Sequence, residues 1–511
     1  LVSGGDSGES DAVRADLNLT HTDGWRESTE YDRQSGTLRW DRYLDDGATL
    51  KTVVAASKID QQTAGSSRLL RDDYLNNPTA NYTPISFRNV GAYRFSMAYE
   101  QEGANDLLSV TPYLRHNAME LLPNWALSYD PTVYETKNDS IGLLLKYRLN
   151  VAPYDTRLIF GTDLDYSPGS RLEHRITPTK VGRVFTSYTQ NEVLYDYDVA
   201  FSGISPYVHA ETSPLEKLRL TAGLRYDHMQ YDYDNKLSDV TTGSHRRPGD
   251  TKVDFNHLSP KLGATYRFTQ QLNGFASYRH GFRAPSEGQL FRQGQSTRTV
   301  DLDAIKVDSY ELGLRGQTSS NIRYEASVYY MSKEDDILTF RELDGSRTTT
   351  NAGETLHRGI ELGAGVAVSP RVDLDLSYSY AKHTYEDWKP NATTDLGGNE
   401  MESAPRQIVN ASLNYRPAIL NGGRGELEWV HLGSYWMDQA NTHKYDGYDL
   451  LNVRVNYLLK DAFEIYGRIT NLTDKRYATA ASFTPAGFGP EKFEFAPGMP
   501  RTLYVGVNYT F

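Results

Sequence analysis

Cysteine is absent from the 511 residues, which removes disulfide frameworks and thiolate metal sites and leaves the redox compartment unread. No apolar run reaches the roughly 18 residues that a membrane-crossing helix needs, so a helical membrane protein is excluded. Surplus positive charge is missing too: 54 Lys and Arg stand against 66 Asp and Glu, a formal net charge of −12. That balance disfavours the phosphate neutralisation behind non-specific nucleic-acid binding, and no nucleic-acid partner is expected. The 7 methionines are too few for a thioether copper path, and the 12 histidines are scattered, with no His-x3-His pair. No charged segment followed by an apolar one opens the chain at Leu1. Either a leader has been removed or the chain starts partway into a longer protein.

Tyrosine is abundant, at 37 against 17 Phe and 6 Trp, a bias that suits rings with one wet end at a membrane–water boundary. The last eleven residues, RTLYVGVNYTF, set a pattern: Leu503, Val505, Val507, Tyr509 and Phe511 share one face, with Thr502, Tyr504, Gly506, Asn508 and Thr510 on the other. The same period returns in Val372, Leu374, Leu376, Tyr378 and Tyr380, in Leu451, Val453, Val455 and Tyr457, and in Val13, Ala15, Leu17 and Leu19. Such alternation marks a strand with one lipid face and one polar face, and it keeps average hydropathy at a soluble protein's level. Asp373, Asp375 and Arg454, in mid-strand, would be costly in the dry core of stacked β-sandwiches, the alternative reading, and suit a wet lumen.

Short connections rich in turn formers, LDDG (44–47), QEGAN (101–105), VAPYD (151–155), SPLEK (213–217), TQQ (269–271), QTSSN (317–321), SPR (369–371) and LKDA (459–462), alternate with long ones. The long ones cover roughly 21–31, 57–88, 118–139, 166–194, 231–254, 282–307, 332–355, 383–404, 437–446 and 474–500. One rim of tight turns and one of large loops predicts a single domain over 1–511, an all-β transmembrane antiparallel barrel of about twenty strands in meander order. The short turns are then periplasmic and the loops extracellular. LVSGG at 1–5 reads as the tail of a strand, and an open meander would leave two edges in lipid. The expectation is therefore a fragment that lacks its first strand.

SYRHGFRAPSEGQLF (277–291) resembles the Phe-Arg-Ala-Pro box of TonB-dependent outer-membrane receptors, and VDSYELGLRG (307–316) the strand that follows it there. NAGETLHRGIELG (351–363), SAPRQIVNASLNYRP (403–417), YGRITNLTDKRYAT (466–479) and PGMPRTLYVGVNYTF (497–511) resemble further blocks of the family in the same order. The resemblance implies a ferric siderophore receptor type, with 22 strands in the intact barrel around an N-terminal plug that carries a TonB box. Neither plug nor box is present in 1–511. It implies an outer-membrane transporter of a scarce metal chelate, most often a ferric siderophore, and no enzyme. Iron would travel only as cargo, with no resident cofactor. Partners implied are the TonB complex acting through the plug, outer-membrane lipid and lipopolysaccharide, and the barrel-assembly machinery that reads the terminal Phe511; the expected state is a monomer. Alternatives are a cobalamin, haem or glycan receptor of the same family, a passive porin or adhesin, and an outer-membrane hydrolase. Haem is disfavoured because no His lies between His280 and His357. GGDSGES at 4–10 resembles a serine-protease nucleophile stretch but lacks an ordered His and Asp to activate Ser7.

Ligand residues should come from the extracellular loops or the upper lumen. One cluster offers His116, Trp125, Tyr129 and Tyr134; a second Tyr435, Trp436, His443 and Tyr445; a third Arg283, Arg292 and Arg298 with Phe291. Aromatics beside basic groups suit a bulky anionic chelate through stacking and charge-assisted hydrogen bonds, and interfacial girdle positions are the competing role for any single ring. Arg283 and Pro285 are expected to shape a loop start, Arg283 by pairing with a carboxylate. Asn471, Asp474 and Lys475 should satisfy backbone groups where a strand leaves the membrane, with Tyr477 at the interface, and Glu311 and Glu361 should face the lumen and pair with Arg315 or another cation.

Overall fold

The structure, a computed structural model, describes residues 2–8, 10–63, 65, 67–296, 298–318, 321–341, 347–420, 422–459, 462–485 and 491–510. Among the described residues, twenty-one strands form one antiparallel sheet in sequence order, from Val2–Ser7 beside Asp11–Thr22 to Phe463–Thr470 beside Thr502–Tyr509. Only short loop strands interrupt that order. The result is an all-β transmembrane barrel, and no described helix is long and apolar enough to cross a membrane. Tight turns hold one rim. In one of them Gly47, at φ +81°, takes the left-handed conformation that closes Leu44 onto Ala48.

The lipid face follows the alternation. Leu503 (66% exposed), Val505 (71%), Val507 (58%) and Tyr509 (56%) stand outward on the last strand, with Leu374, Leu376 and Val455 elsewhere. Leu1 and Phe511 lie outside the described residues. Polar alternates line the lumen as an ion ladder: Asp373 to Arg416 at 2.6 Å, and Arg454 to Glu426 at 2.7 Å and Glu428 at 3.2 Å. Arg315 departs from expectation. It lies 5.3 Å from the centroid of the Phe275 ring, and among the described residues neither Glu311 nor Glu361 forms an ion pair with it.

Two of the expected long loops are largely strand. Thr156–Val181 and Val184–Leu215 run through 166–194 and meet at Gly182, and Ile322–Arg341 and Arg347–Ser369 take up most of 332–355. Above the membrane neither strand face needs to be apolar, so the alternation that reveals a strand fades while its ladder continues. A further short connection, 416–422, joins Gln407–Tyr415 to Gly423–Leu432. Between Phe463–Thr470 and Thr502–Tyr509 the chain leaves the wall through Asn471, which is 2% exposed. Its side chain donates to the Lys475 carbonyl and accepts from the Lys475 amide, both at 2.8 Å, while Asp474 accepts from the Arg501 amide at 2.8 Å. Lys475 takes part through its backbone, and Tyr477 packs on Tyr448.

Candidate functional site

The extracellular mouth is shaped by the connection that follows Leu272–Arg283. Pro285 is buried and Ser286 caps the one-turn helix Glu287–Phe291 by a reciprocal capping box with Gln289. The turn carries Leu290 and Phe291, both 0% exposed, into the lumen wall among Leu194, Tyr195, Tyr197, Tyr233, Val253 and Phe255. Phe291 stacks on Tyr233 at 4.3 Å between centroids, and Thr299 donates to the Leu290 carbonyl at 2.6 Å. Two such burials contribute about 3–6 kcal/mol before ordering costs, so the loop is docked inward. Phe291 is thus a core anchor.

Docking sets Arg292 against the wall. Tyr134, Glu173 and Tyr195 stand side by side on three adjacent strands, facing the lumen. Glu173, fully buried, takes Arg171 at 2.9 Å on one oxygen and Arg292 at 2.6 Å on the other. Arg171 lies over the Tyr134 ring at 4.0 Å, and Arg292 over Tyr195 at 5.3 Å. Burial works to lower the Arg292 guanidinium, but the charge of Glu173 and its hydrogen bond outweigh it and hold the group raised. One carboxylate serving two guanidiniums leaves one positive charge over.

Above this triad lies a cavity of about 530 Å³ lined by Trp125, Tyr129, Tyr134, Arg171, Arg175 and His245, with Arg292 at its floor. Arg175 pairs with Glu192 at 2.5 Å, and His245 bridges to Asp130 at 2.9 Å. Burial works to raise the Asp130 carboxyl, yet the His245 hydrogen bond, with charge from His245, Arg292 and Arg175, keeps it below its ordinary value. Trp125 (57% exposed) and Tyr129 (72%) stand open. The assembly can stack a planar group and hold an anion.

Four of the predicted residues, Trp125, Tyr129, Tyr134 and Arg292, therefore meet at one cavity. The others do not join it. His116 sits on the outer face of the wall, bonded to Asp139 at 2.7 Å beside Tyr93. Arg283 faces the lumen, exposed and with no carboxylate partner among the described residues, so it does not make the expected pair. Arg298 is spent on Asp301 at 2.9 Å. Tyr435 and Tyr445 belong to a loop-borne core shared with a small sheet of Leu69–Leu70, Ala478–Thr484 and Lys492–Pro497, and Trp436 and His443 adjoin it. Tyr435 and Tyr445 accept from the amides of Ala481 and Ala478, both at 2.8 Å, His443 packs at a tilt on Phe483, and Lys444 covers Trp436. Sequence reasoning missed Arg171, Glu173, Arg175, Asp130 and His245. RLEHR at 171–175 carried a signal, since alternate charged residues on a strand share one face.

Comparison with known proteins matches this geometry to a family. The model "TonB dependent receptor-like, beta-barrel" matches residues 11–472. Among curated relatives, the Ferrioxamine B receptor of Salmonella typhimurium (strain SL1344) is 26% identical over 54% of this chain and 37% of its own length. The Ferrichrome outer membrane transporter/phage receptor of Escherichia coli K12 is 23% identical over 52% of this chain and 33% of its own. The match thus spans about a third of the length of these relatives. Among solved structures, the siderophore receptor PiuA from Acinetobacter baumannii superposes with a TM-score of 0.78 at 15% identity, covering 99% of this chain and 78% of that one. The ferric citrate transporter FecA superposes at 0.80 with 18% identity, covering 99% and 74%. The chain belongs to the TonB-dependent receptor-like β-barrel family.

Proposed function

We propose that this outer-membrane barrel takes up a ferric siderophore, an anionic and partly aromatic chelate, through the cavity between its extracellular loops. The observation that carries the reading is the convergence of Trp125, Tyr129 and Tyr134 with Arg171, Arg175 and Arg292 at one lumen-facing mouth. Rings offer stacking area, and the surplus guanidinium charge offers charge-assisted hydrogen bonds to oxygen donors of the chelate. Relatives named for ferrioxamine and ferrichrome support this cargo class. The work is binding and gated release, with no enzymatic turnover, and iron enters only inside the chelate. In the intact receptor a plug would fill the lumen against the ion ladder and TonB would act on it. The barrel-assembly machinery would insert the protein as a monomer among outer-membrane lipid and lipopolysaccharide.

Cobalamin is the second reading, favoured by a 25% identical match to the vitamin B12 transporter BtuB of Photobacterium profundum over 44% of this chain. The test is equilibrium binding of a ferric siderophore panel, with cobalamin and haem alongside. Micromolar or tighter binding of at least one ferric siderophore is expected. Binding of cobalamin or haem with none of the siderophores would overturn the cargo reading.

A further inference from the structure

On the lumen face of the wall, the strand register sets four soft donors side by side. His357 of Arg347–Ser369 stands directly opposite His383 of Val372–Asp387 on one side and Met331 of Ile322–Arg341 on the other. Beyond His383, Thr384 bridges to Glu400, and Met401, one register step along, donates its amide to the His383 carbonyl at 3.0 Å. Residues opposite one another in an antiparallel ladder share a face, and Ile360 and Leu362 hold the other, lipid face of the His357 strand. The order across four neighbouring segments is therefore Met331, His357, His383, Met401, all toward the lumen. The row gathers two of the 7 methionines and joins histidines 26 residues apart, which no local spacing reveals. It lies apart from the cavity at the mouth. Thr349, on the cavity lining, is eight residues away on the same strand, about 26 Å at about 3.3 Å per residue.

The two imidazoles meet through like atoms. Nδ1 of His357 lies 2.7 Å from Nδ1 of His383, and Nε2 of His357 lies 3.0 Å from the Thr355 hydroxyl oxygen. With Nε2–H donating to Thr355, His357 presents its Nδ1 lone pair, and His383 supplies the proton between the rings. A hydrogen bond on the far nitrogen is what fixes the tautomer and orientation of a metal-ligating imidazole. Carboxylates do not complete a hard site: among the described residues no group of three or more His, Cys, Asp or Glu could hold a metal. Asp336, whose charge reaches His357, is paired with Lys333 at 2.6 Å. Thioether flanks the pair instead, on both sides, and Cβ atoms of such neighbours are about 4.5–5.5 Å apart, an interval that a methionine spans. We propose that this row is a binding site for Cu(I), held between the Nδ1 atoms of His357 and His383 with the sulfur of Met331 or Met401 as third ligand. Thioether beside imidazole suits that soft ion, whereas calcium and magnesium take oxygen ligands. The ion replaces the shared proton, which moves to Nε2 of His383, and the copper keeps its oxidation state. The site is independent of the chelate reading.

Competition with bicinchoninate, a colorimetric Cu(I) chelator, under ascorbate tests the proposal on the purified, untagged protein in detergent. Wild type should withdraw one Cu(I) per chain from the chelator. H357Q/H383Q and M331L/M401L should each bind Cu(I) at least tenfold more weakly, and wild type should bind Zn(II) at least tenfold more weakly than Cu(I). A smaller difference in any of the three comparisons would overturn the proposal. Met to Leu conserves volume, so M331L/M401L should keep the fold. X-ray absorption of the wild-type copper complex needs no variant: imidazole nitrogen with one sulfur is expected, and a shell of nitrogen and oxygen alone would overturn the assignment.

Discussion

Replacing Glu173 by Gln should undock the loop that shapes the mouth while leaving the barrel folded. Glu173 is fully buried between Arg171, whose side chain is 9% exposed, and Arg292, at 30%. Breaking a buried ion pair by removing one partner costs about 3–5 kcal/mol. Partial exposure of Arg292 puts this case near the lower end, about 3 kcal/mol, since water screens the stranded guanidinium. Arg171 belongs to the wall, whereas Arg292 belongs to the docked segment, so the penalty falls on the docked state. Its apolar anchor supplies about 3–6 kcal/mol before ordering costs. A loss of about 3 kcal/mol raises the undocked fraction about a hundredfold, at 1.4 kcal/mol per decade. Amide hydrogen exchange reads this directly, because the Leu290 amide donates to the Ser286 carbonyl at 3.0 Å within the one-turn helix. Exchange over 286–292 should accelerate about a hundredfold in E173Q, with the wall strands unchanged. Exchange within threefold of wild type in a folded E173Q would refute the reasoning that this triad clamps the loop.

Other perturbations separate cavity from scaffold. Because Asp130 titrates below its ordinary value in the folded protein, its contribution is full above about pH 3.9 and is lost as pH falls through its depressed value; loop protection should therefore survive at pH 5 and fade below about pH 4, and D130N should lack that acid limb. Tyr435→Phe removes the acceptor of the Ala481 amide, a buried contact that costs about 1–3 kcal/mol when left open, so the 478–497 segment should exchange faster while cargo affinity stays within twofold. Burial has already pushed the Tyr435 hydroxyl up to about 12, so the bond should be insensitive to mild alkali. Trp125→Ala should weaken chelate binding about tenfold by removing an open stacking face, without moving the melting temperature.

The barrel was legible because lipid imposes a strict rule on every second residue, as Leu503, Val505 and Val507 show. The rule lapses above the membrane, which is why 166–194 reads as loop although it is a paired hairpin. For the site, composition pointed to aromatic and basic residues but could not separate open rings from buried ones. Trp125 and Tyr435 look alike in sequence, yet one is exposed and the other supports a loop core through its hydroxyl. Phe291 and Arg292 are adjacent and do opposite things, because a one-turn helix directs one into the wall cluster and the other onto Glu173. His245 and Asp130 come from connections 115 residues apart, and no local pattern could join them.

The central claim is that the cavity at the mouth receives the chelate. Ser244, exposed on the cavity lining, offers a direct test, since Ser244→Trp fills the space while leaving every arginine and ring of the lining in the sequence. Titration with the tightest-binding ferric siderophore should show affinity at least tenfold weaker in S244W than in wild type, with loop protection intact. Equal affinity in the two proteins would contradict the account.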